Sequence, residues 1–261
     1  MGILNLTPDS FYPGSRLDSA AAADAAVAMV AAGADLLDLG AESSRPGSRP
    51  VGGDEERRRL LPALDAIRRR TDAPVSVDTV RTATARAALD AGADAINDIS
   101  AGTHDPSMLE LIAERGCGCV LMHMQGTPET MQCDPRYDDV VAEVGHYLSE
   151  RAAVAEAAGI SPARIVVDPG LGFGKTLEHN LQLLAALERV AGGRRLLVGG
   201  SRKGMIGMVT GAPVEARLPG SLAVLAAARR GDATVVRVHD VAESVQFLEM
   251  LAAIDMTPNA A

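Results

Sequence analysis

The chain has no tryptophan, three phenylalanines and three tyrosines, so aromatic residues make up only 2% of it. The core of a 261-residue chain must then be built from Ala, Val, Leu and Ile, within a hydrophobic fraction of 47%. Cysteine is nearly as scarce. Cys117, Cys119 and Cys133 are an odd, small number for a chain of this length, which fits a reducing cytoplasm rather than a disulfide framework. Cys117 and Cys119 would share one face of a strand. No Cys-x-x-Cys accompanies them, so burial as small hydrophobes outweighs a metal site. No apolar run is long enough to span a bilayer, and the N-terminus lacks a basic stretch followed by an apolar one. The net charge of −9 argues against a broad basic face for nucleic acid or an anionic membrane. An anionic substrate must be held by a few local positive groups. Among the 25 Lys and Arg residues, only Lys175 and Lys203 are lysines. Arg and Lys differ in shape and donor geometry, so two retained lysines hint at two places that need a compact ammonium. Composition bias alone could also leave them.

What is present is alternation. Short β-like runs at Gly2–Leu6, Asp35–Gly40, Pro74–Asp78, Ala95–Ile99, Gly118–Met124, Arg164–Asp168, Arg195–Gly199 and Thr234–His239 are separated by helix-like segments. These are Ser19–Ala32, Asp54–Arg70, Thr82–Ala91, Pro106–Arg115, Asp138–Ala158, Leu177–Val190, Pro219–Arg230 and Val241–Ile254. A glycine just past most of the helices supplies the usual stop. Strand–helix alternation predicts a parallel sheet, and eight units predict a closed α/β barrel, the (β/α)8 architecture. The competing doubly wound sheet would place a Gly-rich phosphate loop after its first strand. Here that strand is followed by Thr7-Pro8-Asp9-Ser10-Phe11. With no linker or low-complexity tract, residues 1–261 read as one barrel, with 1–6 as the first strand and 256–261 as a frayed tail.

Active sites of such barrels lie at the C-terminal ends of the strands. The predicted strands carry there, in order, Asn5; Glu42, Ser44 and Arg45; Asp78; Asn97 and Asp98; His123; Asp168, Phe173 and Lys175; Ser201, Arg202 and Lys203; Arg237, His239 and Asp240. Strand-end Asp, Asn and Ser also serve as turn residues and helix caps, a reading that takes roughly half of such cases. Coincidence at all eight ends is much less expected. Phe11 and Phe173 fall in loops at the same rim, and two rings at one mouth suggest contact with a flat ligand.

Asp78 and Asp168 are acceptors when ionised, and a carboxylate can bind the adjacent N–H donors of a 2-amino-4-oxo heterocycle in pairs. Asn97 both donates and accepts, and Lys203 would donate to a ring oxygen or nitrogen. Arg45, Arg237 and His239, with Asn5, could form a phosphate pocket. The competing reading of Arg45 and Arg237 is a pair of rim salt bridges, about one case in three. Gly199-Gly200-Ser201 adds backbone N–H groups near a helix start. One mouth thus offers a ring-binding half and an anion-binding half.

At these residues the chain resembles the dihydropteroate synthase family. The runs that carry the resemblance are MGILNLTPDSF at 1–11, GAESSRPGS at 40–48, VSVDT at 75–79, INDIS at 96–100, LMHMQGTPETMQ at 121–132, VVDPGLGFGKT at 166–176, GGSRKG at 199–204 and VRVHDV at 236–241. They run from end to end, in order. The resemblance implies pterin held by Asp78, Asn97, Asp168 and Lys203, with Met122 and Phe173 lining the slot. It implies a diphosphate pocket of Asn5, Arg45, Arg237 and His239, with magnesium bridging Asn5 and the leaving group. It puts Phe11, Ser44, Pro46 and Ser201 on the p-aminobenzoate side, and implies a homodimer packed through late helices. The expected reaction joins a pterin diphosphate to p-aminobenzoate. Early loss of diphosphate would leave a cationic methylene, which a neutral aryl amine can attack without a strong base.

Three rival readings compete. A pterin-dependent methyltransferase shares the strand-end Asp and Asn but needs no diphosphate pocket. A Schiff-base aldolase would use Lys203 or Lys175. A catalytically dead binding paralogue would not need every polar position filled. Departures from the family pattern fall at Tyr12, Pro13, Ala41 and Ser44, on the p-aminobenzoate side. They raise the expectation of altered sulfonamide sensitivity, set against neutral loop drift.

Overall fold

The computed structural model describes residues 1–6, 19–42, 47–48 and 51–256. Eight parallel strands follow one another in sheet order as in sequence. They are β1 (Gly2–Asn5), β2 (Leu37–Gly40), β3 (Val75–Asp78), β4 (Ala95–Asp98), β5 (Gly118–Met122), β6 (Ile165–Asp168), β7 (Arg195–Val198) and β8 (Val235–Val236). The ring closes through a parallel bridge between Gly2 and Val238. Ile3 N–H donates to the Val238 carbonyl and Val238 N–H to that of Met1, both at 3.0 Å. The closed barrel is therefore the architecture adopted, and the open doubly wound sheet is not.

Helices α1 (Ser19–Ala31), α2 (Gly53–Arg68), α3 (Thr82–Asp90), α4 (Met108–Arg115), α5 (Val140–Ala157), α6 (Leu177–Ala185), α7 (Leu187–Ala191), α8 (Gly204–Thr210), α9 (Leu218–Arg230) and α10 (Val241–Asp255) wrap the strands. The strands are shorter than the sequence suggests, each by one to four residues. The single helix expected at 177–190 is broken: Ala186, at φ −131°, ends α6 and starts α7. Helix α8 was not expected, since its seven residues include Gly204 and Gly207 and lack a helical apolar stripe. Gly33, Gly92, Gly116, Gly159 and Gly192 follow helices with positive φ as anticipated. Gly231 has φ −87° and ends α9 without a left-handed turn.

Scarcity of aromatics is met by close approach. Ala22, Ala23 and Ala26 of α1 and Ala85 and Ala88 of α3 are almost fully buried, so these helices lie flat on the strands. Leu37, Leu39, Val75, Val77, Ile96 and Leu121 fill the layers between. Cys117 and Cys119 are buried as small hydrophobes, although Cys117 precedes β5 rather than lying in it. Burial pushes the Cys119 thiol up to about 12. No helix of the described residues is long and apolar enough to cross a membrane.

Ladder register builds the mouth. Asn5 pairs with Gly40, Gly40 with Asp78, and Asp78 with Asn97, so these four lie in one transverse row. One layer below, Ile3 pairs with Asp38 and Asp38 with Ser76. Side chains two apart on a strand share a face, so Asp38 and Ser76 point the same way as Asn5, Asp78 and Asn97. Past β6 the chain turns sharply across the loop after β5. Gly170 has φ +64°, and a Cβ there would lie 2.0 Å from the His123 carbonyl oxygen. Gly192 also has positive φ but open space around it.

That contrast is testable. Gly192→Ala should cost only the left-handed penalty, about 1–2 kcal/mol. Gly170→Ala adds a collision with backbone and should cost about 3 kcal/mol or more in urea unfolding. Equal losses for the two variants would show that the turn at Gly170 can move aside.

Candidate active site

The residues expected at a ring lie close together. Asp78 and Asn97 sit side by side in the register row, and Asp168 ends β6 opposite Met122 of β5. Asn97, Asp168 and Met122 are buried. Burial pushes Asp78 up to about 7; repulsion from Asp38 adds to it, and Arg237 opposes it. Asp168 is also raised by burial, against the pull of Lys203. Its Oδ1 accepts from Gly170 N–H at 2.7 Å, which holds the carboxyl over the turn. Lys203 is lowered to about 8 by burial, with Asp168 acting against that. Its ammonium donates to the Leu171 carbonyl and lies 4.5 Å from the centre of the Phe173 ring. A cation over a ring face is an attractive contact, so Phe173 and Lys203 fix each other at one wall of the slot.

Most of the described residues expected at an anion gather at β7 and β8. Arg237 reaches into the barrel, where its Nε donates to Asp38 at 2.6 Å and its Nη2 lies 3.7 Å from Asp78. Burial works against its charge, and Asp38 and Asp78 more than offset that; Asp168 also contributes. The salt-bridge alternative for Arg237 is thus partly realised, but inside the barrel and not at its rim. Ser201 Oγ lies 3.0 Å from His239 Nδ1 and accepts from His239 N–H at 3.2 Å, linking the two loops. Between them, Gly199 and Gly200 carry the chain from β7; a Cβ on Gly200 would meet Val224 at 2.4 Å. Arg202, with φ 56°, donates from Nε and Nη2 to both oxygens of Asp240, at 2.9 and 2.6 Å. Asn5 completes the row on the far side of Gly40.

Several rim residues do structural work instead. Asp98 accepts from the backbone and hydroxyl of Ser100 and from Gly102 N–H, at 2.6–2.8 Å, and so caps the loop after β4. Glu42 pairs with Arg81 at 2.6 Å. Arg81 also donates to Glu56 and to the Val51 carbonyl, and Thr84 Oγ1 donates to Glu56 at 2.7 Å, tying α2 to α3. Lys175 is buried and lies 2.9 Å from both the Phe173 carbonyl oxygen and His123 Nδ1. Burial lowers it to about 7, and burial with Lys175 beside it takes His123 down to about 3. Lys175 therefore braces the loop after β6 and the end of β5.

Phe11, Ser44, Arg45 and Pro46, and with them Tyr12 and Pro13, lie outside the described residues. Ala41 is fully buried. The residue that sequence reasoning missed is Asp38. A scan of strand ends passes over it, since it sits mid-strand between two leucines. A charge inside an apolar run, two residues below the mouth on the same face, was the available signal. Ser76 was missed for the same reason.

A family model described as "Pterin binding enzyme" matches residues 1–239. The dihydropteroate synthase of Escherichia coli K12 is 45% identical over 97% of this chain and 90% of its own length. The Yersinia pestis dihydropteroate synthase, solved as a sulfonamide drug complex, superimposes with a TM-score of 0.93 at 40% identity, covering 98% of this chain and 94% of that one. The Xanthomonas albilineans enzyme, solved with 7,8-dihydropteroate, gives 0.87 at 41% identity, over 99% and 94%. Likeness of this extent, in sequence and in fold, shows that the chain belongs to the pterin-binding dihydropteroate synthase family.

Proposed function

We propose that this chain condenses 6-hydroxymethyl-7,8-dihydropterin diphosphate with p-aminobenzoate, giving 7,8-dihydropteroate and diphosphate. The observation that carries this is the divided mouth: carboxylates and an amide on β3, β4 and β6 face an arginine and a Ser–His pair on β7 and β8. Asp168 and Asp78 take the paired N–H donors of the pterin, Asn97 a further ring donor through its Oδ1, and Lys203 a ring acceptor, with Met122 and Phe173 against the ring. Arg237, His239 and Ser201 address the diphosphate and the amine that displaces it. A pterin-dependent methyltransferase would leave that second half without a task.

Asn5 offers one amide oxygen, and the described residues hold no group of three or more His, Cys, Asp or Glu that could hold a metal ion. This donor set fits magnesium held mainly by substrate phosphates and water, which needs only one or two protein oxygens. When bound, the ion supplies Lewis-acid stabilisation to the departing diphosphate. Arg237, preorganised by Asp38, adds charge stabilisation at the same leaving group. Lys203 keeps a positive charge at the ring. Product release of a proton from the aryl ammonium needs no strong base.

Two further expectations belong here. Met208 and Val209 on α8 and Met250 and Ile254 on α10 are exposed apolar side chains. They support a homodimer through the late helices, readable by sedimentation. Scarce cysteines support a cytoplasmic setting for the single barrel of residues 1–261.

The function itself is tested by a coupled assay of both substrates with magnesium; no dihydropteroate from a folded protein would overturn it. Asp168→Asn sets a donor against ring donors and forfeits charge-assisted bonds of about 1.5–3 kcal/mol each. Pterin affinity by calorimetry should fall by well over tenfold, on the order of one factor of ten per 1.4 kcal/mol. Unchanged binding would remove the assignment. Arg237→Ala should weaken pterin diphosphate far more than the free pterin alcohol, and equal losses would place Arg237 outside the anion pocket. Lys203→Arg should lower activity, because a planar fork does not fit where a compact ammonium reaches the ring; near-normal turnover would leave the two-lysine pattern as composition bias. For pH, the signs follow from the shifts. Asp78 offers both of its oxygens as acceptors only when ionised, so free-pterin affinity should rise through about 7. Lys203 donates its charge only when protonated, so affinity should fall above about 8. Asp38, Glu56, Asp98 and Arg237 all act on Asp78, and Asp78→Asn should flatten the rising limb alone. A profile flat from pH 6 to pH 9 in the unaltered protein would contradict both assignments.

A further inference from the structure

Asp38 has no exposed surface, so no ligand can touch it. Its Oδ2 nevertheless accepts from two residues that do face the mouth: Arg237 Nε at 2.6 Å and Asn97 Nδ2 at 3.2 Å. Its Oδ1 accepts from Ser76 Oγ. Each contact restricts a side chain that would otherwise have a choice. An amide can present either its oxygen or its nitrogen. Turned over, Asn97 would set its carbonyl oxygen against the Asp38 carboxylate, two acceptors with no proton between them. Asn97 therefore keeps Nδ2 inward, and Oδ1 is left for a ligand. Arg237 has two carboxylates within reach. Tied at Nε to Asp38, its head stays 3.7 Å from Asp78 and does not close on the carboxylate that the ring needs.

We propose that Asp38 is a positioning residue for both halves of the mouth: one sealed carboxylate sets which atom Asn97 offers to the heterocycle and where Arg237 offers its guanidinium to the anion. The proposal rests on the dihydropteroate synthase reading and adds a specificity rule to it. The ring edge that meets Asn97 Oδ1 must carry a donor. A heterocycle with an oxo group or bare ring nitrogen there is refused, because it would place acceptor against acceptor.

Asp38→Asn separates the two tasks. The new carboxamide oxygen can occupy the place of Oδ2 and still accept from Asn97, while its nitrogen turns to Ser76 Oγ. The charge that holds Arg237 is lost. Free-pterin affinity should then stay within about threefold of the parent, since the retained bond is a neutral one of modest net strength. The preference for pterin diphosphate over the free pterin alcohol should shrink by about fivefold or more, since charge-assisted bonds are roughly twice as strong as neutral ones. Asp38→Ala removes both tasks. Free-pterin affinity should fall about tenfold, the loss of roughly one bond that orients a donor or acceptor. The Michaelis constant for p-aminobenzoate should stay within about twofold in either variant, because among the described residues the hydrogen bonds of Asp38 run to Ser76, Asn97 and Arg237 and not to Ser201.

Calorimetry with the pterin alcohol and with its diphosphate, steady-state kinetics in both substrates, and thermal melting would be run on the parent and both variants. If the parent makes no dihydropteroate, the functional reading falls and the proposal with it. If the parent is active, the proposal stands or falls on the variants alone. An Asp38→Asn protein that melts cooperatively and keeps the parental diphosphate preference overturns it. So does one whose free-pterin affinity drops as far as that of Asp38→Ala. Should Asp38→Ala fail to fold, the diphosphate preference of Asp38→Asn decides by itself. A purely structural Asp38 would lower the melting temperature without separating the ligands, and that result also overturns the proposal.

Discussion

The ion pair between Asp38 and Arg237 is the contact on which the rest depends. A carboxylate with no exposure is costly to bury unless an opposite charge meets it. Arg237 supplies the opposite charge from a position 199 residues further along the chain. Removing one member of such a pair generally costs about 3–5 kcal/mol, because the other is left uncompensated. The pair therefore penalises any state in which β8 has not come round to meet β1. Closure of the ring and placement of Arg237 at the mouth are the same event.

The register carries the consequence outward. With Asp38 fixed in the layer below, the row of Asn5, Gly40, Asp78 and Asn97 must lie above it and face the same way. A one-residue slip of any of these strands would turn its polar groups out into the helices. Gly40 has a part in this. A side chain there would stand between Asn5 and Asp78, so its absence leaves the space that separates the two halves. Asp78 is raised by burial and by repulsion from Asp38, so the layer below bears on its charge as well as its place.

Much of this was legible in the sequence. Eight strand–helix units, and the meeting of Asn5, Asp78, Asn97 and Arg237 at one mouth, followed from alternation and from polar residues at strand ends. The list at the rim was less pure than it looked. Asp98, Glu42, Arg202, Asp240 and Lys175 fulfil the bland reading of strand-end polar groups: caps, clamps and braces. Nothing in the sequence distinguishes Asp98 from Asp78, since both end a strand; the difference is whether backbone N–H groups curl back to satisfy the carboxylate. Asp38 and Ser76 stand out as polar residues in apolar runs, but their role was not legible. Their role comes from three strands and an arginine arriving in one layer, and pairing partners are not written in local periodicity. The break at Ala186 and the short α8 were missed because neither carries a residue pattern strong enough to outweigh its surroundings.

The clamp between Arg202 and Asp240 has one more implication. It joins the loop after β7 to the loop after β8 by two charge-assisted bonds, and the Ser201–His239 contact lies within the same span. Arg202 adopts a left-handed backbone to reach it, a strain that only a well-determined surrounding sustains. Ser201, Lys203, Arg237 and His239 thus belong to one stiff body before any ligand arrives. Dipoles and charges on such a body need no rearrangement as negative charge builds on a departing group. The reorganisation energy that a solvent would demand at every turnover is met once, when the chain folds.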